Sequence, residues 1–196
     1  CTQGFLKGGD SASIPVLCVF DSEEVGSVSP QGAGSSLLED TLGRICDGLK
    51  LNRGRMLAQS FLVSADNAHA VHPNHPEYAD PGNAPVMGGG LVIKYNANLS
   101  YCTDSVSAAV FRKICGRAGV KVQTYHNRAD LPGGSTLGRI SLAHVSVPTV
   151  DIGLAQLAMH SCYETAAVSD AIDLETAMAA YYGSTLEATE SGFSIL

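Results

Sequence analysis

Ile14-Pro15-Val16-Leu17-Cys18-Val19-Phe20-Asp21-Ser22-Glu23-Glu24-Val25-Gly26-Ser27 joins an apolar run to two adjacent carboxylates. The run Ile14 to Phe20 reads as a buried strand, and Glu23-Glu24 as the place where it runs out. Successive side chains on a strand point to opposite sides. One carboxylate at the strand's end can therefore take a metal while its neighbour reaches a metal-bound water, which divides ligand from general base. A solvated turn has the same composition, so the segment gains weight only from the motifs that accompany it in the rest of the chain.

Downstream, apolar runs rich in Val and Ile alternate with helical patterns. A helix is predicted from about Ser35 to Leu51, with Leu38, Leu42, Ile45, Cys46 and Leu49 on one face. A strand over Ser60 to Ala65 ends at Asp66, followed by a Pro/Asn/Gly-rich loop from Asn67 to Gly90. A strand at Leu91 to Tyr95, a helix from about Ser105 to Ala118 and a strand at Val120 to Tyr125 come next. The loop Arg128 to Thr136 leads into a short helix. Strand Thr149 to Ile152, a loop to His160, a helix from about Leu174 to Leu186 and a tail from Glu190 complete the order. The expected fold is α/β, a mixed, largely parallel sheet flanked by helices. Ligands gather beyond the carboxyl ends of such strands, where Glu23, Glu24, Asp66 and His160 all fall.

The chain has 196 residues, 45% of them hydrophobic and 16% charged, enough for one core and one domain. A net charge of −7 argues against nucleic-acid or anionic-membrane partners, which favour an excess of Lys and Arg. No apolar run approaches the roughly 18 to 20 residues that span a bilayer, and the start has no signal-peptide pattern. These features lead to the expectation of a soluble, cytoplasmic protein. The six cysteines are scattered, mostly in apolar segments, and form no Cys-x-x-Cys; they read as reduced thiols. A start at Cys1 reads as that of a fragment or processed product.

Two further segments carry candidate chemistry. Asp66-Asn67-Ala68-His69-Ala70-Val71-His72-Pro73-Asn74-His75 has three histidines at three-residue spacing, but Pro73 and Pro76 break any helix that would align them. His72 and His75 therefore read as loop residues, and Asp66, at a strand end, as the better ligand. Ala155-Gln156-Leu157-Ala158-Met159-His160-Ser161 adds an imidazole, and with Glu24 and Asp66 it makes the N/O donor mix that zinc accepts. The turn Gly133-Gly134-Ser135-Thr136 either aims backbone N–H groups at a substrate oxygen or is simply tight. On spacing alone Lys94 and Tyr101, flanking the turn Asn96-Ala97-Asn98, read as surface residues.

Together, Phe20 to Ser27, Ser64 to Asn74 and Gln156 to Ser161 closely resemble the aspartyl aminopeptidase family of zinc metallopeptidases. The similarity runs from about Cys1 to Leu186, with Lys94, Tyr101 and the stretch Gly133 to Gly138 as smaller matches. The resemblance implies a catalytic domain with two zinc ions that hydrolyses the amide after an N-terminal acidic residue. It casts Glu23 as general base, Glu24, Asp66 and His160 as metal ligands, and Glu23, His69, Lys94 and Tyr101 as substrate contacts. It also implies a homo-oligomer acting on peptides with an acidic N-terminus.

Family members carry a further metal-binding His, a bridging Asp and a dimerisation domain before the part matched here. The expectation is accordingly a C-terminal portion of the catalytic domain, inactive or nearly so alone. Two rival readings are a related binuclear-zinc aminopeptidase of different specificity and a non-catalytic structural or assembly module.

Overall fold

The computed structural model describes residues 1–196. Its centre is a four-stranded sheet in the order β1-β5-β3-β4, formed by β1 (Leu62–Ala65), β5 (Thr149–Gly153), β3 (Leu91–Tyr95) and β4 (Val122–His126). β1 runs parallel to β5 and β3 parallel to β4, while β3 and β5 are antiparallel, so the sheet is mixed as expected.

Strand periodicity divides this sheet into a packing face and a working face. Leu91 and Ile93 of β3 and Val150 and Ile152 of β5 enter the main core with Phe111 and Ile114 of α4 (Ser105–Arg117) and Met178 of α6 (Val168–Tyr182). The intervening Val92 joins a second cluster with Ala68, Tyr101, Tyr125 and Ala155. By the same alternation Lys94, Asp151 and, through the register Ser64↔Asp151, Ser64 belong to the second face. That face carries the polar chemistry.

The ends of the sheet are tied by buried polar groups. Asp170 is fully buried near the start of α6 and accepts from the backbone N–H of Gly88 (2.8 Å) and Gly90 (3.1 Å), which clamps the chain just before β3. Asp170→Ala leaves both donors unpaired and is expected to cost about 2 kcal/mol, read as a lowered urea midpoint at unchanged m-value. At the C-terminal end of β5, beside Val92, a Cβ on Gly153 would lie 2.0 Å from the Asp66 carbonyl oxygen, so only glycine lets β5 pass this close to the backbone at the end of β1.

Several elements differ from the sequence expectation. Ile14 to Phe20 forms no strand: Pro15 has no N–H to give, and the segment joins no ladder. It lies extended instead, with Cys18 and Phe20 packed on Leu38, Val145 and Val147 and with Val19 76% exposed. The predicted loop before His160 contains β6 (Ala155–Leu157), which pairs in parallel with β2 (Ala68–His69) and antiparallel with β7 (Thr165–Ala166). α6 begins six residues before the predicted Leu174, and the predicted tail from Glu190 contains β9 (Gly192–Ile195), which pairs antiparallel with β8 (Leu186–Thr189) just before it. The predicted amphipathic helix is α2 (Leu37–Leu49), burying Leu38 and Cys46. All six cysteines are free thiols. No helix is long and apolar enough to cross a membrane.

Candidate active site

Three devices bring the polar residues together on the working face. The first is a 3-10 turn over Glu23–Val25, entered through Ser22 at φ 65° and left through Gly26 at φ 98°. Gly26 N–H bonds Glu23 O at 2.9 Å and Ser27 N–H bonds Ser22 O at 2.8 Å, which closes the turn. Glu23 and Glu24 are thus splayed by about 120°, as three residues per turn require, rather than placed on opposite sides of a strand.

The second device is the short β2/β6 ladder, which carries the chain from Asp66 to His69 alongside Ala155 and Gln156. Asn67 donates to the Gln156 side-chain carbonyl and accepts from Leu154 N–H at 3.2 Å, locking the pair. Beyond β6 the chain turns through Ala158 (φ 56°) and His160 (φ 66°). Left-handed backbone is uncommon at residues other than glycine, and here it falls on the imidazole-bearing residue itself. His160 N–H is held by the Glu164 carboxylate at 2.7 Å.

The third is Asp151, fully buried on β5. Its Oδ1 accepts from Ser64 Oγ (2.5 Å) and Thr136 Oγ1 (2.7 Å), Oδ2 accepts from Cys102 N–H, and its own N–H bonds Thr103 Oγ1 (2.8 Å). One carboxylate so fastens β1, the loop after Tyr101 and the Gly133–Thr136 turn to the sheet.

These devices surround a cleft of about 320 Å³ lined by Glu23, Glu24, Asp66, His69, Lys94, Tyr101 and His160, among others. All seven residues singled out from the sequence therefore meet in one place. Within it, Glu24 Oε2 and His160 Nε2 stand 3.3 Å apart. Two ligands about 2.0–2.1 Å from a tetrahedral zinc are separated by roughly the same distance, so this pair fits zinc in donor type and in spacing. Asp66 stands apart, its Oδ2 3.6 Å from Lys94 Nζ. No three His, Cys, Asp or Glu side chains converge on a single point.

The electrostatics separate the two glutamates' neighbours into roles. Although exposed, the Glu23 carboxyl sits against the cleft wall, and desolvation raises its pKa; Asp66 and then Glu24 add to the rise, while His160 opposes it. His69 is held below the usual imidazole range by desolvation, then by His160 and Lys94, which keeps it neutral near pH 7. Burial raises the Tyr101 phenol, with nearby Tyr125, Asp66 and Asp151 adding, so it remains a hydrogen-bond donor.

Lys94 corrects the surface reading. It is 1% exposed, because a strand covered on both faces offers no route to solvent, and Tyr101, on the loop after β3, is 6% exposed through packing with Val92 and Tyr125. Lys94 Nζ donates to the carbonyls of Asp66 (2.8 Å) and Asn67 (3.2 Å) and lies 5.1 Å from the Tyr101 ring centre. Burial lowers its pKa, against the pull of Asp66 and Asp151. His72 and His75 are exposed loop residues, as expected, joined by a single β-bridge outside the cleft. Sequence reasoning missed Asn67, Gln156, Glu164 and Asp151. Only Asp151 left a signal, a charge inside the apolar strand Thr149-Val150-Asp151-Ile152.

Residues 6–182 match the family described as aminopeptidase I zinc metalloprotease (M18). Over 183 residues the chain is 46% identical to the Mycobacterium tuberculosis protein named "Probable M18 family aminopeptidase 2", covering 90% of this chain and 42% of that protein. It is 45% identical over 165 residues to the "Probable aspartyl aminopeptidase" of Ricinus communis, covering 82% and 33% respectively. It spans less than half the length of either relative. Among solved structures, the M18 aminopeptidase of Thermotoga maritima superposes with a TM-score of 0.75 at 26% identity, covering 83% of this chain and 38% of that one. The S. cerevisiae mApe1 dodecamer gives 0.72 at 28% identity, covering 83% and 36%.

Proposed function

The chain belongs to the M18 family of zinc metallo-aminopeptidases, and from that premise we propose that it supplies much of the active site of an enzyme removing N-terminal Asp or Glu from peptides. The observation that carries this reading is the 3.3 Å contact of Glu24 with His160 in the same cleft as Glu23, Asp66 and Lys94.

Glu24 and His160 would hold zinc, with Asp66 as the further ligand once it moves off Lys94; by the resemblance, the assembled site takes two ions. Zinc bound there supplies polarisation of the scissile carbonyl and a water of lowered pKa. Glu23 then takes the proton on its carboxylate, for which a raised pKa is an asset. Neutral His69 and the protonated Tyr101 phenol hold the substrate's polar groups in register. Lys94 acts on an acidic substrate group through its charge and its third ammonium proton, the other two serving the Asp66 and Asn67 carbonyls.

By the resemblance, a further His and a bridging Asp complete the assembled site, so the isolated chain is expected to be inactive or nearly so. The enzyme is proposed to be a homo-oligomer, a reading supported by the dodecamer of the similar mApe1 and by Val19, Val25 and Val28, which are at least 76% exposed beside the Glu turn. Free thiols support a cytoplasmic setting. The buried state of Lys94 favours one alternative, an M18 aminopeptidase of broader specificity.

The test is bound zinc per chain after zinc exposure and desalting, for the wild type and His160→Ala, followed by cleavage rates on Asp-, Glu- and Leu-amides for a chimera in which the chain replaces the matching segment of the Mycobacterium tuberculosis relative. Retained zinc that falls to background in the variant, with Asp and Glu preferred to Leu, is the expected result. Equal rates on all three amides transfer the assignment to the broader enzyme. No zinc in either protein reduces the chain to a structural module.

A further inference from the structure

Across His69 from the cleft lies a second recess of about 310 Å³, which shares His69, Gly134 and Gln156 with it. We infer that this recess is a subsite for an uncharged, bulky side chain, that of the peptide residue immediately after the scissile bond. The inference rests on the aminopeptidase reading.

The chemistry of the two cavities is complementary. Glu23, Glu24, Asp66, Lys94 and Glu164 all line the cleft, whereas the lining of the recess contains no Asp, Glu, Lys or Arg. An aminopeptidase substrate places a single residue, with its ammonium group, on the amino side of the bond. That charged residue suits the cleft, and the next residue must leave it across a shared wall. The lining of the recess includes buried Tyr125, the loop residues Leu131 and Pro132, and the rings of His72, His75 and Tyr78.

Those walls are built and held. Tyr125 OH donates to Asn127 Oδ1 (3.1 Å), and Asn127 Nδ2 donates to the carbonyls of Arg128 and Leu131 (3.1 Å each). Arg128 pairs with Asp130 and reaches across to the Glu77 carbonyl, joining the Leu131 side to the Tyr78 side. His72 and His75 have ring centres 5.5 Å apart, and His75 stacks on Tyr78 at 5.4 Å. The recess is half open, so a large side chain gains only part of its full burial free energy there, worth about tenfold in affinity.

The experiment measures binding of the ketomethylene analogues of Asp-Phe-amide and Asp-Gly-amide to the zinc-loaded chain. The Phe analogue is expected to bind about tenfold more tightly, and only it should shift the imidazole proton resonances of His72 and His75. Leu131→Trp, a loop substitution that fills the recess, is expected to bring the two ligands to within about twofold. Equal binding by the wild type, or tighter Phe binding without movement of either imidazole signal, overturns the subsite and leaves the aminopeptidase reading standing. Binding of neither analogue removes the aminopeptidase reading and the subsite with it.

Discussion

Glu23→Gln is expected to lower kcat/KM on Asp-amides by about 10²–10⁴-fold while leaving bound zinc unchanged, the loss that results when a positioned general base is removed. Glutamine keeps the size and hydrogen-bonding reach of the side chain on the 3-10 turn but cannot accept the proton. Glu24 and His160, the contacting pair, are untouched by the change. Where the isolated chain turns over too slowly to compare, the measurement is made on a chimera in which it replaces the matching segment of the Mycobacterium tuberculosis relative. Loss of zinc together with activity would make Glu23 a ligand, and an unchanged rate would remove it as base.

The sheet was legible where burial and periodicity agree. Leu91 to Tyr95 is a strand with the predicted bounds, since a continuous apolar run covered on both faces has few other solutions. Ile14 to Phe20 shows the limit of that logic: its composition is equally strand-like, yet a strand exists only where a neighbouring chain completes its hydrogen bonds, and none does so. The β2/β6 ladder failed to register for the opposite reason, as two paired residues leave no periodic trace. Lys94 could have been placed by noting that a lysine following Leu91-Val92-Ile93 in a doubly covered strand must end inside. The residues of the cleft were found by motif, but their arrangement was not. The hold of Lys94 on the Asp66 region and the separation of Asp66 from the Glu24–His160 pair depend on tertiary distances alone.

Asp151→Ala is expected to destabilise the fold by about 3 kcal/mol and to loosen the cleft at the same time. The carboxylate is fully buried and satisfies two hydroxyls and one N–H. Removing it strands donors that cost about 1–3 kcal/mol each when unpaired, less whatever Ser64 and Thr136 recover by rotating to other acceptors. Asp151→Asn keeps the shape and one acceptor oxygen but sets an amide N–H₂ against either the hydroxyls or Cys102 N–H, so a smaller loss is expected. Denaturant unfolding measures both. A local reporter separates the network from general destabilisation: the Cys102 thiol pKa is pushed up to about 12, first by burial and then by Asp151. Without the carboxylate that pKa falls, and Cys102 should react faster with an aromatic disulfide at pH 8 under fully folding conditions, while buried Cys115, raised to about 12 chiefly by its own burial, should not. Equal acceleration at both thiols would indicate global opening. Acceleration confined to Cys102 would show that Asp151 fastens the Tyr101 and Thr136 walls of the cleft, because the N–H it holds is the residue next to Tyr101 and the hydroxyl it holds is that of Thr136.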